Sequence, residues 1–206
     1  MRPPGRMRRP AKLGLVEYDI NIFCTQFPIV KGFLYHLTCY RELERAYREL
    51  ELSSEFWTYT IDAHLLQACI LWCMVFGSTG PNPTHWKNLC KDERKNLENS
   101  FRKGLFEGTE LTKEKWERYW EDMKHFRDTY AAHRQGHYSE PVPEFDTAQA
   151  VAYYYDGWIR RLIDPDQLTE PPLKESALLM QKRIRPLVML YLSGTRLISE
   201  GTEDPL

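Results

Sequence analysis

The stretch "HFRDTYAAHR" (residues 125–134) sets an arginine, Arg127, and a histidine, His133, on either side of a five-residue spacer, with Asp128 and Arg134 as their immediate neighbours. Histidine titrates near neutrality and is the natural group for moving protons. Arginine is a permanent planar cation whose fork grips two phosphate oxygens and stabilises charge that builds on them. Arg127 is also oddly placed. Trp116, Trp120 and Met123 lie eleven, seven and four residues upstream, which at about 100° per residue puts all three on the face that Arg127 shares. A charge on an apolar stripe needs a partner or a task, because arginine is rarely buried unpaired.

Helix geometry constrains how the pair could act. A step of six residues turns an ideal helix by about 600°, so Arg127 and His133 diverge by about 120° on an unbroken helix, too far apart to hold one phosphate. Either the helix unwinds between them or two chains contribute. Asp128 is not expected to neutralise Arg127, since adjacent helical residues point about 100° apart. The ordinary alternative is that His133 and Arg134, just before Gly136, are cations complementing a helix C-terminus. That accounts for those two residues and leaves Arg127 unexplained.

The elements that must carry this pair read as helices throughout. Phe33, His36, Tyr40, Leu43, Tyr47 and Leu50 keep a three-four spacing, which predicts a first long helix over residues 28–51. Residues 55–76 are apolar nearly all round and are expected at the centre of a bundle. "GSTGPNP" closes that helix, with Thr84 the expected N-cap of a shorter charged helix or helix pair through residue 104. Thr112 should cap the helix carrying Arg127, which is expected to stop near Gly136, and Asp146 should cap the one carrying "AVAYYYDGWIRRLI". A last helix should follow Pro171 and Pro172 and be kinked by Pro186. With no period-two alternation, hairpin signal or repeat, the expected fold is an all-α bundle of five to seven helices.

Composition bounds the rest. The chain has 206 residues and a net charge of −1, enough for one globular domain with a real core and too neutral for a protein that coats nucleic acid nonspecifically. Residues 1–12 hold five Arg and Lys with three prolines and read as a mobile basic arm, solvated or grazing phosphates; residues 13–200 read as a single helical domain and 201–206 as a disordered tail. The arm lacks the apolar segment of a signal peptide. The longest apolar run, "LLQACILWCMVF", has about twelve residues against the ~20 that span a bilayer, so a core helix, no membrane contact and a cytoplasmic location are expected. Five cysteines without paired spacing fit reduced thiols. Cys69 and Cys73 form half a zinc site with no second half, and Gly136 interrupts any cluster of His125, His133 and His137, so neither metal nor cofactor is expected. Asp62 and His64 on the apolar second helix read as satisfied core groups, with Asp62 also a partner for an arginine such as Arg127. "AYYYDGWIRR" reads as core packing, or as a stripe on which bases stack.

"RDTYAAH", an arginine followed by a polar residue and, after the five-residue spacer, a histidine, resembles the R-x(4–6)-H motif of the HEPN superfamily (higher eukaryotes and prokaryotes nucleotide-binding domains). The setting is similar too: an all-α chain, the motif at the end of a Trp-rich helix, a long first helix, and an apolar helix, "FWTYTIDAHLLQACILWCMVF", leading into a Pro/Gly loop. Over roughly residues 28–165 this arrangement resembles the AbiU-like proteins of bacterial abortive-infection systems. The resemblance implies a metal-independent endoribonuclease, a toxin or phage-defence effector, acting as a homodimer with a composite site across the interface. RNA is then the substrate and an antitoxin a further partner. Arg127 and His133 would be catalytic, and Asp128 and Arg134 supporting. Some members have lost catalysis, which implies the alternative of a helical module that binds RNA or a partner protein. An isologous interface through the Trp116/Trp120/Arg127 face would explain the charge on the stripe.

Overall fold

The computed structural model describes the backbone of residues 11–13, 16–78, 80, 82–131 and 141–201. Among the described residues there are six α-helices, so the expected all-α bundle is what the chain forms. The exception is a short antiparallel pair, β1 (Ala11–Leu13) and β2 (Val16–Tyr18), with Lys12 opposite Glu17. It places residues 11 and 12 in a strand, whereas the sequence assigned them to the arm. Tyr18, 2% exposed, ends this hairpin in the core, where its hydroxyl accepts from the Asp164 N–H at 3.0 Å.

Asp19 opens α1 (Ile20–Glu49): its Oδ1 accepts from the N–H of Asn21 at 3.0 Å and of Ile22 at 3.4 Å. The helix therefore begins well before Pro28, which lies inside it at an exposed position. α1 packs along α2 (Glu55–Phe76) and α6 (Leu173–Gly201) and is the axis of the bundle. α2 is less central than its composition suggests. Ile61, Leu65, Cys69, Trp72 and Phe76 are buried, but Phe56 and Tyr59 at its start are 68% and 62% exposed. With 22 residues, and a mean hydropathy of 1.4 over its most apolar window, α2 passes the length and composition test for a membrane span. The twelve-residue argument against a span thus falls, because "EFWTYTIDAH" extends the helix; 44% of that window is buried inside the fold.

The remaining helices close around this pair. α3 (Arg94–Gly108) follows a single 3₁₀ turn at Trp86–Asn88, and Trp86 stacks on Phe101 with centroids 4.1 Å apart. α4 (Lys113–Phe126) is capped as expected by Thr112, whose side chain accepts from the Lys115 N–H at 3.3 Å. α5 (Phe145–Leu162) has Glu144, and not Asp146, at its cap position; Asp146 sits in the first turn and pairs with Arg41 of α1. α6 is one continuous helix through Pro186.

Two buried carboxylates fasten α6. Asp156, 4% exposed, accepts from the Leu173 N–H at 2.8 Å and from Arg160 Nε at 2.9 Å, so α5 caps the start of α6. Glu42, 2% exposed on α1, accepts from Gln181 at 2.6 Å and Arg185 at 2.9 Å, both on α6, and from Arg45 at 3.0 Å. Burial pushes the Glu42 carboxyl upward, but these three donors together hold it below the usual carboxylate range.

The C-terminus of α2 is buried, and its carbonyls need donors. Gly77 N–H bonds to Cys73 O at 3.0 Å. Met74 O accepts from Asn82 Nδ2 at 2.9 Å and Thr84 Oγ at 2.8 Å, so Thr84 serves the end of α2 and not the start of the next helix. Trp120 Nε1 reaches across from α4 to Phe76 O at 2.8 Å and Gly77 O at 3.1 Å, and His85 Nε2 lies 3.1 Å from Gly77 O. No side chain fits at position 77, since a Cβ there would stand 2.5 Å from Cys73 O.

Two outcomes follow from this cap. Trp120→Phe keeps most of the ring but strands the Phe76 carbonyl, and should cost about 1–3 kcal/mol in urea unfolding. His85 donates to Gly77 O and accepts the Lys87 N–H at Nδ1, 3.2 Å away, so it must be neutral in the fold. Burial, then Lys87, lowers its pKa from 6.5 to about 4. The unfolded chain therefore binds the proton that the fold refuses. Stability is complete above pH ~6.5 and should drain away as pH falls from there towards about 4. The urea midpoint measured from pH 7.5 to 4.5 checks this, and His85→Gln should flatten the slope.

Candidate functional site

Arg127 sits where α4 stops being an α-helix. Its N–H is shared between the carbonyls of Lys124 and Met123, and the chain widens into a single π turn over Arg127–Ala131. Met123 O also takes the thiols of Cys69 and Cys73, each 3.8 Å away, from the facing side of α2. Phe126 is fully buried and Tyr130 stacks on it with centroids 5.3 Å apart, which pins both ends of the widened turn. Isolated π turns within helices occur often at functional sites.

The apolar stripe upstream of Arg127 faces inward. Trp116 is 7% exposed and Met123 0%, and Trp116 lies 6.1 Å from Trp72 of α2, ring to ring. Trp120 is half-buried by its bonds to the end of α2, with Lys124 Nζ over its ring at 3.7 Å. The stripe is consequently core of this chain and not the surface through which a second copy was expected to dock. Its tryptophans find their partners on α2, a helix whose position the spacing of α4 alone does not reveal.

Arg127 escapes that core at its edge. Its guanidinium donates to one oxygen of Asp128 through Nε at 2.7 Å and Nη2 at 2.6 Å, with side chains 25% and 54% exposed. The expectation that neighbours cannot pair is thus overturned. The arginine side chain is long enough to fold across the widened turn, whereas the 100° rule describes where Cβ atoms point. The pair still leaves Nη1 uncommitted to Asp128. Asp62, the other partner that the sequence offers, lies towards the opposite end of α2, where its charge acts on Tyr40. His64 meets His36 of α1, Nδ1 to Nδ1 at 2.9 Å, and burial lowers the pKa of both. His133 and Arg134 lie outside the described residues, as does His137.

Beside Arg127 is a cavity of about 250 Å³ bounded by Ile70, Cys73 and Met74 of α2 and by Ser78, Gly80 and Asn82 of the loop that ends it. Asn82 shapes this loop: its Oδ1 accepts from the Thr84 N–H at 3.2 Å and its Nδ2 reaches Met74 O and Ser78 O. In the sequence Ser78 and Asn82 look like loop punctuation only. Asn followed by Pro and Thr is a turn signal with a mechanism, the side chain bonding its own backbone two residues on. A cation, a hydroxyl and loop backbone around a small cavity suit a tetrahedral anion.

The Cys69 thiol, one turn of α2 before Cys73, is held in its protonated form. The hydrogen bond with Cys73, and then burial, push the Cys69 thiol far above its ordinary range; Arg127 pulls the other way without reversing the shift. Among the described residues no three His, Cys, Asp or Glu side chains converge as metal ligands. No family model matches the chain, and neither a curated protein nor a solved structure does.

Of the five cysteines only Cys24 is exposed. A thiol reagent at pH 8 should therefore modify one cysteine rapidly in the native protein and the other four only when denaturant opens the core, with peptide mapping placing the fast site at Cys24.

Proposed function

We propose that this chain is a metal-independent endoribonuclease of the HEPN type, acting in the cytoplasm as a toxin or phage-defence effector. The observation that carries this reading is the position of Arg127, at a π turn beside a small cavity that it lines together with Ser78 and Asn82. RNA brings its own nucleophile. In the proposed reaction His133 accepts the proton of the 2′-hydroxyl, whose oxygen attacks phosphorus. The bond to the 5′-oxygen breaks, and that oxygen takes up a proton. The products are a 2′,3′-cyclic phosphate and a 5′-hydroxyl. Arg127 stabilises the charge on the phosphorane, Asp128 orients the guanidinium, and Arg134 adds positive potential.

The reading includes a homodimer, with two Arg/His pairs meeting at a composite site, and an antitoxin where activity must be held off. Trp116 and Met123 of the stripe are buried within the chain, so a dimer would not dock through them. Its contact has to lie on the outer side of the π turn or elsewhere. One observation favours a second reading, a non-catalytic module that binds RNA or a partner protein: two of the guanidinium nitrogens of Arg127 are already spent on Asp128.

Cleavage of single-stranded RNA decides between them. The parent should run in light scattering at about twice the 24.5 kDa chain mass, cut RNA in excess EDTA and leave cyclic-phosphate ends. His133→Ala should lower the rate by about 10²-fold or more without changing the fold. Arg127→Lys keeps the charge and loses the planar fork, so a phosphate ligand should be impaired where a mere charge partner would not be. Alanine variants that cut as fast as the parent, or a dimeric parent that cuts nothing, would establish the binding module instead.

A further inference from the structure

α6 carries more apolar surface than the core takes up. On its inner side Val188 and Leu192 close with Leu43 of α1 and Ile61 of α2 into a small apolar cluster. On its outer side Leu179, Leu187, Leu190 and Tyr191 stay 49%, 54%, 68% and 64% exposed. At about 100° per residue these four share a sector of about 120°, so they make one apolar face. The end of that face is joined to the start of α2. There Trp57 Nε1 donates to Thr195 Oγ1 at 2.9 Å, and Phe56, 68% exposed, stands edge-on to Trp57 with centroids 5.0 Å apart. Several large apolar side chains exposed together mark a place where something docks.

The charge around the face says what. Between Leu173 and Arg196 there are five cations, Lys174, Lys182, Arg183, Arg185 and Arg196, and one acid, Glu175, in a chain whose net charge is −1. Arg185 is spent on Glu42. Lys182 and Arg183 are exposed, and neither has an acidic partner among the described residues. By the same helical geometry Arg183 lies within the apolar sector and Lys182 about 60° beyond its edge. The occupant is therefore anionic as well as apolar.

A second copy of the chain does not meet that demand through this face, because a twofold contact would set these cations against themselves. RNA meets the charge but offers nothing to four exposed apolar side chains. A protein helix docks by laying its apolar side into a groove, whereas side chains about half or more exposed on the outside of a helix form a ridge. An apolar ridge with cations beside it is what an interfacial helix presents to an anionic bilayer. The leucines enter the acyl boundary, the Tyr191 ring sits at headgroup depth, and the long stems of Lys182 and Arg183 carry their charges up to the phosphates.

We propose that the outer face of α6 holds this protein on anionic lipid bilayers. The contact is peripheral and asks no helix to cross the membrane. It revises the expectation, drawn from the apolar run of α2, that the chain makes no membrane contact. It uses none of the residues around Arg127 and stands whether or not the chain cleaves RNA.

Co-sedimentation of the full chain with phosphatidylcholine vesicles containing one-third phosphatidylglycerol tests this. Most of the protein should pellet at about 0.1 M salt and be released at about 1 M, where the charges are screened. Phosphatidylcholine alone should bind at least tenfold more weakly. Lys182→Glu/Arg183→Glu and Leu187→Ser/Leu190→Ser, all at exposed positions, should each keep the thermal midpoint and weaken binding at least tenfold. Arg8→Glu/Arg9→Glu, the same change of charge in the basic N-terminal segment, should leave binding unchanged. The proposal is overturned if the parent stays in the supernatant with anionic vesicles, if either α6 variant binds as the parent does, or if the Arg8/Arg9 variant loses binding to the same extent. It is equally overturned if Leu187→Ser/Leu190→Ser turns a dimer into a monomer in light scattering, which would make the face a contact between copies. An acidic, leucine-rich helical peptide that binds the parent where vesicles do not would overturn it in favour of a protein partner.

Discussion

The C-terminal end of α2 is the constraint on which the rest of the structure depends. An α-helix that stops inside a protein leaves carbonyls with no helical donor, and each one left unbonded costs about 1–3 kcal/mol. Here the donors come from three directions. The backbone of Gly77 turns back on Cys73, the Asn82–Thr84 turn covers Met74 O, and Trp120 and His85 close over Phe76 and Gly77. Each donor ties a different part of the chain to the same spot. Trp120 brings α4, and His85 brings the 3₁₀ turn, whose carbonyl at position 85 in turn receives Gln26 of α1 at 2.9 Å. Tyr155 of α5 completes the relay by donating to Gln26 at 3.0 Å. Four elements are thus set by the hydrogen bonds that one helix end requires.

That arrangement also builds the rim of the candidate site. The loop that caps α2 is the loop that supplies Ser78, Gly80 and Asn82, and the helix that Trp120 anchors is the one that ends at Arg127. The two meet because they solve the same packing problem. A second coupling runs through Met123 O, which takes two thiols from α2 at the point where α4 widens. The guanidinium consequently sits neither in the core nor fully in water, but at the edge, where it is partly desolvated and its interactions with anions are stronger than on an open surface.

α6 is attached by different physics. Its contact with α1 includes a small apolar cluster around Leu43, Ile61, Val188 and Leu192, and a carboxylate, Glu42, buried under its donors. A buried charge with all its bonds made adds little net stability but is costly to misplace, so it favours one seating of α6 over the alternatives that a greasy stripe would tolerate. Leu187, Leu190 and Tyr191 on the outer side of the same helix are 54%, 68% and 64% exposed, which shows how little of the length of α6 is committed to the core.

The sequence by itself determined the class of the fold and the identity of most elements, because three-four periodicity and the cap at Thr112 are local signals. The placing of Arg127 on the stripe of Trp116, Trp120 and Met123 was legible for the same reason, as was the turn at "GSTGPNP". What lay beyond it was every feature in which distant residues meet. Periodicity showed that the tryptophan stripe must be covered, but not by what, and α2 of the same chain covers it where a second copy was expected. Thr84 and Asp146 look like N-caps to a local rule; one serves the end of α2 and the other pairs with Arg41, because hydrogen-bond partners are chosen by distance in space. The Arg127–Asp128 pair needed a π turn that no residue pattern announces, and the seat of Tyr154 of α5 needed two glycines of α3, Gly104 and Gly108, to lie beneath its ring. Residue types carry propensities, and only the tertiary structure decides which of them are spent on one another.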